Sequence, residues 1–151
     1  MLLLPRLLLR FVPMLAVMGT IFFFSHQPGN TLYLPEFPGI DKICHLAIYA
    51  LLALTVVWCL GPGGEGTPVK VALKTVLFCL LYAISDELHQ AYVPQRSVSG
   101  LDLLADLSGV IVVCAIWLSS RRLRVAMESG CMALAKRLGG VYNDNSFKNE
   151  S

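Results

Sequence analysis

The sequence predicts an all-α membrane protein: a four-helix polytopic transmembrane bundle followed by a C-terminal amphipathic helix at the interface. Its composition is the first indication, because 56% of the 151 residues are hydrophobic and 15% are charged, against about 25% charged in a globular domain. Mean hydropathy is +0.65. The second indication is that apolar residues fall into four long runs with turn-forming or polar segments between them. At this length the apolar excess favours one membrane domain over an oversized soluble core.

Charge and cysteine usage argue against a nucleic-acid-binding protein and against a protein built on disulfides or zinc–thiolate sites. The net charge is +2, and no basic patch is interleaved with aromatic residues, so no nucleic-acid partner is predicted. The five cysteines occur singly, with neither CxxC nor Cys/His ligand spacing. They are interpreted as small hydrophobic residues, and they predict neither a disulfide framework nor a zinc site of the thiolate kind.

The first helix is predicted over about residues 7–25. Arg6 and Arg10 precede an uncharged run, 11–24, that also resembles the n- and h-regions of a signal peptide. The run ends Phe-Phe-Phe-Ser and lacks the small-x-small pair that cleavage requires. A retained spanning helix, kinked near Pro13, is therefore the prediction, and a cleaved signal is the alternative.

Three further apolar runs are long enough to span a bilayer. They predict helices two, three and four over residues 42–60, 69–92 and 101–119. Asp41 can act as the N-cap or the first-turn acid of the second helix, and Trp117 of the fourth is placed like an interfacial aromatic. With the first helix, these runs form one transmembrane domain over residues 1–120.

Residues 121–138 predict a basic amphipathic helix that lies on the membrane surface. Its apolar stripe is Leu123, Met127, Cys131, Leu134 and Leu138, opposite charged residues. The alternative is a straight extension of helix four, which Ser129 and Gly130 would weaken. Residues 139–151 are polar and are predicted to be disordered.

Basic residues are distributed unevenly between the two sides of a four-span bundle. Ten of the twelve fall on the side of the termini, and Lys42 and Arg96 fall on the other. The positive-inside rule therefore predicts a multi-pass protein of the cytoplasmic membrane with both termini in the cytoplasm. All three histidines and six of the ten acidic residues fall on the outer side. We expect the reactive side chains to face away from the cytoplasm.

Polar residues at the ends of three predicted helices indicate the functional site, because ionisable groups near lipid are costly and usually functional. The three stripes are Asp41, His45 and Tyr49 on helix two, Asp86, His89 and Gln90 on helix three, and Asp102, Asp106 and Gly109 on helix four. Glu87 is turned about 100° from its neighbour Asp86. Lipid would not tolerate these stripes, so we expect them to converge inside the bundle. Gly109 is predicted to permit close helix packing.

Roles follow from local electrostatics. Asp86 and Glu87 lie near a helix C-terminus, where the helix dipole opposes a carboxylate. Arg96, Lys42, a histidine, a bound cation or a shift of the carboxyl pKa must offset it. The candidate catalytic residues are Glu87, His89 and Asp86. The candidate ligand-binding residues are Asp41, Lys42, His45, Tyr49, Gln90, Arg96, Asp102 and Asp106. Arg96 can hold a phosphate or carboxylate head group, or it can neutralise Asp86 or Glu87.

Two other interpretations of this polar region are open. A structural network of Asp–Arg and Asp–His pairs would close the outer end of the bundle without any ligand. A divalent cation is the other alternative, because the carboxylates and histidines offer oxygen and nitrogen ligands. No HExxH helix is present, and no other cofactor is predicted.

The pattern of these residues resembles the VanZ-like family of small multi-pass bacterial membrane proteins. SHQPG and then DKICHLAIYALLAL resemble the opening of the family pattern, and DELHQAYVPQRSVSGLDLLADLSG resembles its centre. The matching residues in the centre are Glu87, Gln90, Pro94, Arg96, Asp102, Asp106 and Gly109. Many relatives have Asn in place of Asp106 and Gly in place of Gln95. A role that needs an amide at position 106 is therefore not carried over to this chain.

The resemblance implies a site outside the cytoplasm that binds, or acts on, a component of the bacterial cell envelope. The family is named for a component associated with resistance to teicoplanin-type lipoglycopeptides. Expected partners are membrane lipids and an envelope precursor or lipoglycopeptide. The leading hypothesis is that the pocket binds a cell-envelope lipid or wall precursor, with Arg96 holding its anionic group. The alternatives are an enzyme with acid/base or cation-assisted chemistry on an envelope substrate, and a non-catalytic membrane partner.

Overall fold

The computed structural model describes residues 3–29, 38–61 and 67–137, which form five α-helices and no β-strand. The helices are α1 (Leu3–Ser25), α2 (Ile40–Leu60), α3 (Pro68–Gln90), α4 (Gly100–Ser119) and α5 (Arg121–Arg137). The predicted all-α class is confirmed. Part of the first predicted loop (30–37), part of the second (62–66) and the predicted disordered tail (139–151) lie outside the described residues.

Three of the helices are long and apolar enough to cross a membrane. These are α2, α3 and α4, with 21, 23 and 20 residues, and about 20 residues are needed to span the hydrocarbon layer. At most 33% of the apolar window of each is buried inside the protein, so most of their apolar surface is available to lipid. The apolar part of α1 is shorter, Arg10–Ser25. A fourth span and the four-helix transmembrane bundle therefore stay predictions.

Local sequence signals set the starts of the helices. Gly39 occupies the N-cap position of α2 with a left-handed φ of 83°, so Asp41 is a first-turn acid and not the N-cap. The Thr67 side chain accepts a hydrogen bond from the third residue of α3, and the Ser99 hydroxyl accepts one from Asp102 N–H at 3.4 Å at the start of α4. Side-chain caps of this kind satisfy N–H groups that a helix leaves without a partner.

The tightest helix contact joins α2 and α4. A Cβ atom added to Gly109 of α4 would lie 2.2 Å from the Leu46 carbonyl oxygen and 3.0 Å from the Ala50 nitrogen of α2. Any side chain at this position would push the two backbones apart. The predicted role of Gly109 in close helix packing is confirmed.

The end of the bundle opposite the polar residues is organised around Trp117. Its side chain is 3% exposed, and its indole N–H donates to the Pro68 carbonyl at 3.3 Å. The side chain faces the neighbouring helices, because Trp117 packs between the start of α3 and the end of α2 at Gly61. Its position at the membrane interface stays a prediction. An aromatic with one polar atom can lie inside a bundle when a backbone carbonyl accepts that bond.

α5 is a separate helix and not an extension of α4. The chain turns at Ser120, with φ −102° and ψ 95°, and the Ser120 hydroxyl accepts a hydrogen bond from Leu123 N–H at 3.2 Å. The Arg124 guanidinium lies 6.0 Å from the centre of the Trp117 ring, and Met127 packs against the core. A position of α5 on the membrane surface stays a prediction.

We expect Gly109→Ala to lower the free energy of unfolding by about 1–3 kcal/mol or more, because its Cβ would overlap the Leu46 carbonyl. Thermal unfolding of purified protein in detergent measures the effect. Gly19→Ala is the control, because nothing lies within 4 Å of a Cβ at that helical glycine. Its stability should be unchanged or higher by up to about 1 kcal/mol. Equal stabilities for the two variants would contradict the close contact.

Candidate functional site

Three ionisable side chains from three helices meet at the polar end of the bundle. They are His45 of α2, Glu87 of α3 and Asp106 of α4, and one potential ligand atom of each lies within 4.8 Å of the other two. His45 Nδ1 is 3.0 Å from Asp106 Oδ1. Glu87 is 5% exposed and Asp106 is 1% exposed. We call these three residues the buried cluster.

The close contact of α2 and α4 positions two members of the buried cluster. His45 directly precedes Leu46, whose carbonyl lies against Gly109, and Asp106 lies one helical turn before Gly109 on the same face of α4. Because the two backbones touch at Gly109, side chains on the facing surfaces of α2 and α4 next to that contact can reach each other. The short helix separation therefore places the imidazole of His45 against the carboxylate of Asp106.

Several oxygens at this site are buried and have no hydrogen-bond partner among the residues that the structure describes. They are Asp106 Oδ2, Glu87 Oε1 and the Tyr49 hydroxyl. Tyr49 and Asp106 also line one small crevice, between α2, α3 and α4. A buried polar group without a partner costs about 1–3 kcal/mol, and more if it is charged. Such atoms are where a ligand, an ion or a water molecule would complete the hydrogen bonding.

The second carboxylate oxygen of Glu87 explains how an acid is tolerated near the C-terminus of α3. Glu87 Oε2 accepts a hydrogen bond from the Ser99 backbone N–H at 3.0 Å. Ser99 is the N-cap of α4, so the carboxylate lies beside the positive end of one helix dipole while it opposes the other. The bond also ties the end of α3 to the start of α4.

The predicted stripe of Asp86, His89 and Gln90 forms its hydrogen bonds with the end of α1. Gln90 Nε2 donates to Asp86 Oδ2 and to Ser25 Oγ, both at 3.2 Å. His89 Nε2 lies 3.3 Å from His26 Nδ1. The structure therefore brings Glu87, which the sequence placed about 100° away, to α2 and α4, and it brings the rest of the stripe to the end of α1.

Lys42 joins the starts of α2 and α4. Its ammonium group donates to Asp41 Oδ2 at 2.7 Å and also to Asp102. These three predicted ligand-binding residues therefore form an ion-paired group among themselves. Such pairs near a surface contribute about 0–1 kcal/mol each, so their main effect is to set the geometry of the two helix ends.

Arg96 bonds to the end of α1. Its Nη2 donates to the Phe24 carbonyl at 2.9 Å and its Nε donates to the Gln27 carbonyl at 3.2 Å. In the described part of the chain, Arg96 forms no ion pair with Asp86 or Glu87. It satisfies carbonyl groups that a helix C-terminus leaves without a partner. Its predicted role in holding an anionic group stays a prediction.

The loop after α1 packs against the connection before α4. Gly29 N–H donates to the Pro94 carbonyl at 3.3 Å, and a Cβ added to Gly29 would lie 1.9 Å from the Gln95 carbonyl oxygen. Gln95 has a left-handed φ of 61°, a conformation that glycine adopts at lower cost. The SHQPG segment and the P-x-R segment of the sequence pattern are therefore in contact, although 60 or more residues separate them in the chain.

Sequence reasoning did not assign a role to Ser25 or to the Ser99 backbone. Ser25 bonds to Gln90, and no pattern within a single helix indicates which residue of another helix will accept a bond. For Ser99 a signal was present, because serine three residues before Asp102 is typical of a helix N-cap. The use of its N–H by Glu87 follows only from packing.

The fold and the buried cluster define a helical membrane protein with acidic and imidazole groups held between three apolar helices. Residues 10–122 match the sequence model of the VanZ/LLP1 family. The match extends from α1 to the first residues of α5 and includes all members of the buried cluster. The chain belongs to the VanZ/LLP1 family. No curated protein and no solved structure matches the chain.

Arg96→Gln should lower the free energy of unfolding by about 1–3 kcal/mol, because two carbonyl groups lose a charged donor. Arg96→Lys should lower the free energy of unfolding by a similar amount, because an ammonium group cannot donate in the two directions that the guanidinium group does. Hydrogen exchange at residues 22–28, followed by mass spectrometry, should speed up in both variants. Lys74→Gln, at an exposed position of α3, is the control and should stay within about 0.5 kcal/mol of the parent. Unchanged exchange in both Arg96 variants would contradict the assignment.

Proposed function

We propose that this VanZ/LLP1 family protein carries out acid/base or cation-assisted chemistry on a component of the bacterial cell envelope. The reaction centre is the buried cluster, at the outer end of a multi-pass bundle in the cytoplasmic membrane with both termini in the cytoplasm. One observation carries the proposal: His45, Glu87 and Asp106 meet from three helices, and two of their carboxylate oxygens are buried with no partner in the described part of the chain.

Charge at the polar end favours this proposal over the binding of an anionic head group. The carboxylates described there are Asp41, Asp86, Glu87, Asp102 and Asp106. The lysine and the arginine described at the same end are engaged, because Lys42 bonds two of these acids and Arg96 bonds two carbonyls. A site with this balance attracts a proton or a cation more strongly than a phosphate or a carboxylate.

The geometry of the buried cluster also fits proton transfer. The contact of 3.0 Å between His45 Nδ1 and Asp106 Oδ1 orients the imidazole, as a carboxylate does for a histidine that acts as a general base. Glu87 is held by the Ser99 N–H through one oxygen, which leaves its other oxygen for a reacting group. Because Glu87 and Asp106 are buried, their electrostatic interactions with a transition state would be stronger than in solution.

Binding without catalysis is the second candidate function. The residues around the α3–α4 connection expose apolar side chains beside the polar end, with Tyr92 88%, Val98 56% and Leu101 65% exposed. An apolar rim next to polar groups suits a ligand with both a lipid and a polar part, such as an envelope lipid, a lipid-linked wall precursor or a lipoglycopeptide. Sequestration of such a ligand would link the protein to teicoplanin-type resistance. The third alternative is a non-catalytic membrane partner. For that role the hydrogen bonds and ion pairs that hold the helices together are sufficient.

Expression of the parent protein in a teicoplanin-sensitive bacterium should change the profile of envelope lipids and wall precursors measured by mass spectrometry. We expect Glu87→Gln and Asp106→Asn to reduce the rate of that change by at least about 100-fold, as for the loss of a general acid or base. Glu128→Gln, on α5 and away from the buried cluster, is the control and should match the parent.

The amounts of folded protein and the co-purified lipids decide between the alternatives. A folded Glu87→Gln variant that retains the same bound ligand but causes no change in profile supports catalysis. If a folded variant loses both the bound ligand and the change in profile, binding alone is supported. Failure of both variants to fold supports the structural network. Folded variants that act like the parent protein would rule the buried cluster out of the function.

Labelling of single cysteines in intact cells tests the proposed orientation. In a cysteine-free background, Ser97→Cys in the α3–α4 connection should react with a membrane-impermeant maleimide added outside the cell. Lys70→Cys, at the start of α3 and exposed in the structure, should react only after the membrane is opened. The reverse result would place the buried cluster at the cytoplasmic end of the bundle.

A further inference from the structure

The donor atoms of the buried cluster are those that divalent transition metals prefer in proteins. Two carboxylates and one imidazole come from three helices, with a ligand atom of each within 4.8 Å of the others. Imidazole suits zinc and related ions, and carboxylate suits manganese and other oxygen-binding ions. We infer that His45, Glu87 and Asp106 form a binding site for one divalent cation of the Zn²⁺ or Mn²⁺ class. This inference rests on the proposed function and specifies which form of its chemistry the site supports.

A second observation points to a ligand at this place. Among the described residues, Asp106 Oδ2 and Glu87 Oε1 are buried and have no hydrogen-bond partner, and their residues are 1% and 5% exposed. The other oxygen of each carboxylate is held, one by His45 and one by the Ser99 N–H. A backbone N–H that holds one oxygen of a carboxylate, as Ser99 does for Glu87, orients that carboxylate as a metal ligand. A cation bound between the three side chains would supply a partner for buried carboxylate oxygens, whereas the His45–Asp106 contact involves neither of the free ones.

The distances are compatible with an ion after small side-chain movements. Metal–ligand bonds of about 2.0–2.2 Å put the ligand atoms of a tetrahedral site roughly 3.4 Å apart. Atoms that lie within 4.8 Å of one another reach that spacing by shifts of about an ångström. His45 would bind the ion through Nδ1 in place of its contact with Asp106 Oδ1, because a carboxylate that accepts from Nδ1 lies on the opposite side of the ring from an ion on Nε2.

Three protein ligands leave at least one coordination position for water or substrate, which is typical of catalytic metal sites. A bound ion there would act as a Lewis acid or activate a water molecule. Glu128 lies on α5 and is exposed, so its carboxylate is outside the buried cluster. It therefore provides the control for the loss of one negative charge.

The test measures metal content and affinity on the full chain in detergent. Protein stripped with a chelator is titrated with Zn²⁺ or Mn²⁺ alone, and bound metal is counted by plasma mass spectrometry after removal of free ions. The parent protein should bind about one ion per chain, since the three ligands surround a single position. His45→Gln, Glu87→Gln and Asp106→Asn should each weaken binding by more than about 100-fold, because removal of a direct ligand exceeds the effect of an outer-shell partner.

Glu128→Gln should keep the same stoichiometry as the parent protein. If this variant loses the ion as completely as Glu87→Gln does, the ligand assignment is overturned. Such a result would show a general effect of negative charge. Pulsed electron paramagnetic resonance on the Mn²⁺-bound parent protein should show coupling to one imidazole nitrogen, which His45→Gln removes. This measurement on the parent protein stands even where a variant does not fold.

A parent protein that binds neither ion, or cluster variants that bind as tightly as the parent, would overturn the inference. The proposed function fails separately. If no ion binds but folded Glu87→Gln still abolishes the change in envelope profile, acid/base chemistry stands and the metal site does not. If the ion binds but the profile is unaffected by loss of its ligands, the metal site stands and the proposed function does not.

Discussion

The structure depends on the close approach of the α2 and α4 backbones at Gly109. Helices in lipid gain little from apolar burial against one another, because lipid chains are as apolar as leucine side chains. Association then rests on close van der Waals contact and on interhelical polar bonds. Gly109 supplies the first, since no Cβ fits beside the Leu46 carbonyl, and the contact of His45 with Asp106, one turn away, supplies the second. One constraint thus sets both the packing and the position of the buried cluster.

At the polar end of the bundle, some polar groups bond across helices and one group keeps free buried oxygens. Lys42 with its two acids, Gln90 with Asp86 and Ser25, and Arg96 at the end of α1 hold helices together. The buried cluster differs, because two of its carboxylate oxygens have no partner among the described residues. A purely structural network would be expected to satisfy its buried groups. The unsatisfied part is therefore where we place the chemistry.

Much of the fold and part of the site could be predicted from the sequence. Apolar run lengths predict α2, α3 and α4, and the four-residue spacing of His45 and Tyr49 predicts one face of α2. The orientation of α3 about its own axis could not be predicted. Asp86 and Glu87 are adjacent, and only the packing of α3 against its neighbours decides which of the two bonds to α1. The partners of Arg96 are backbone carbonyls, which no pattern of side chains indicates. The packing of Trp117 between helices could not be predicted, because a long aromatic near a helix end fits either lipid or a neighbouring helix.

A double-mutant cycle between His45 and Asp106 tests most directly whether the α2–α4 contact brings them together. The free energy of unfolding would be measured in mixed detergent, without metal, for the parent protein, His45→Gln, Asp106→Asn and the double variant. The structure predicts a coupling energy of about 0.5–3 kcal/mol, as for residues in direct contact. Single effects that add to within about 0.3–0.5 kcal/mol would show that the two side chains do not meet, and the buried cluster would not exist as described.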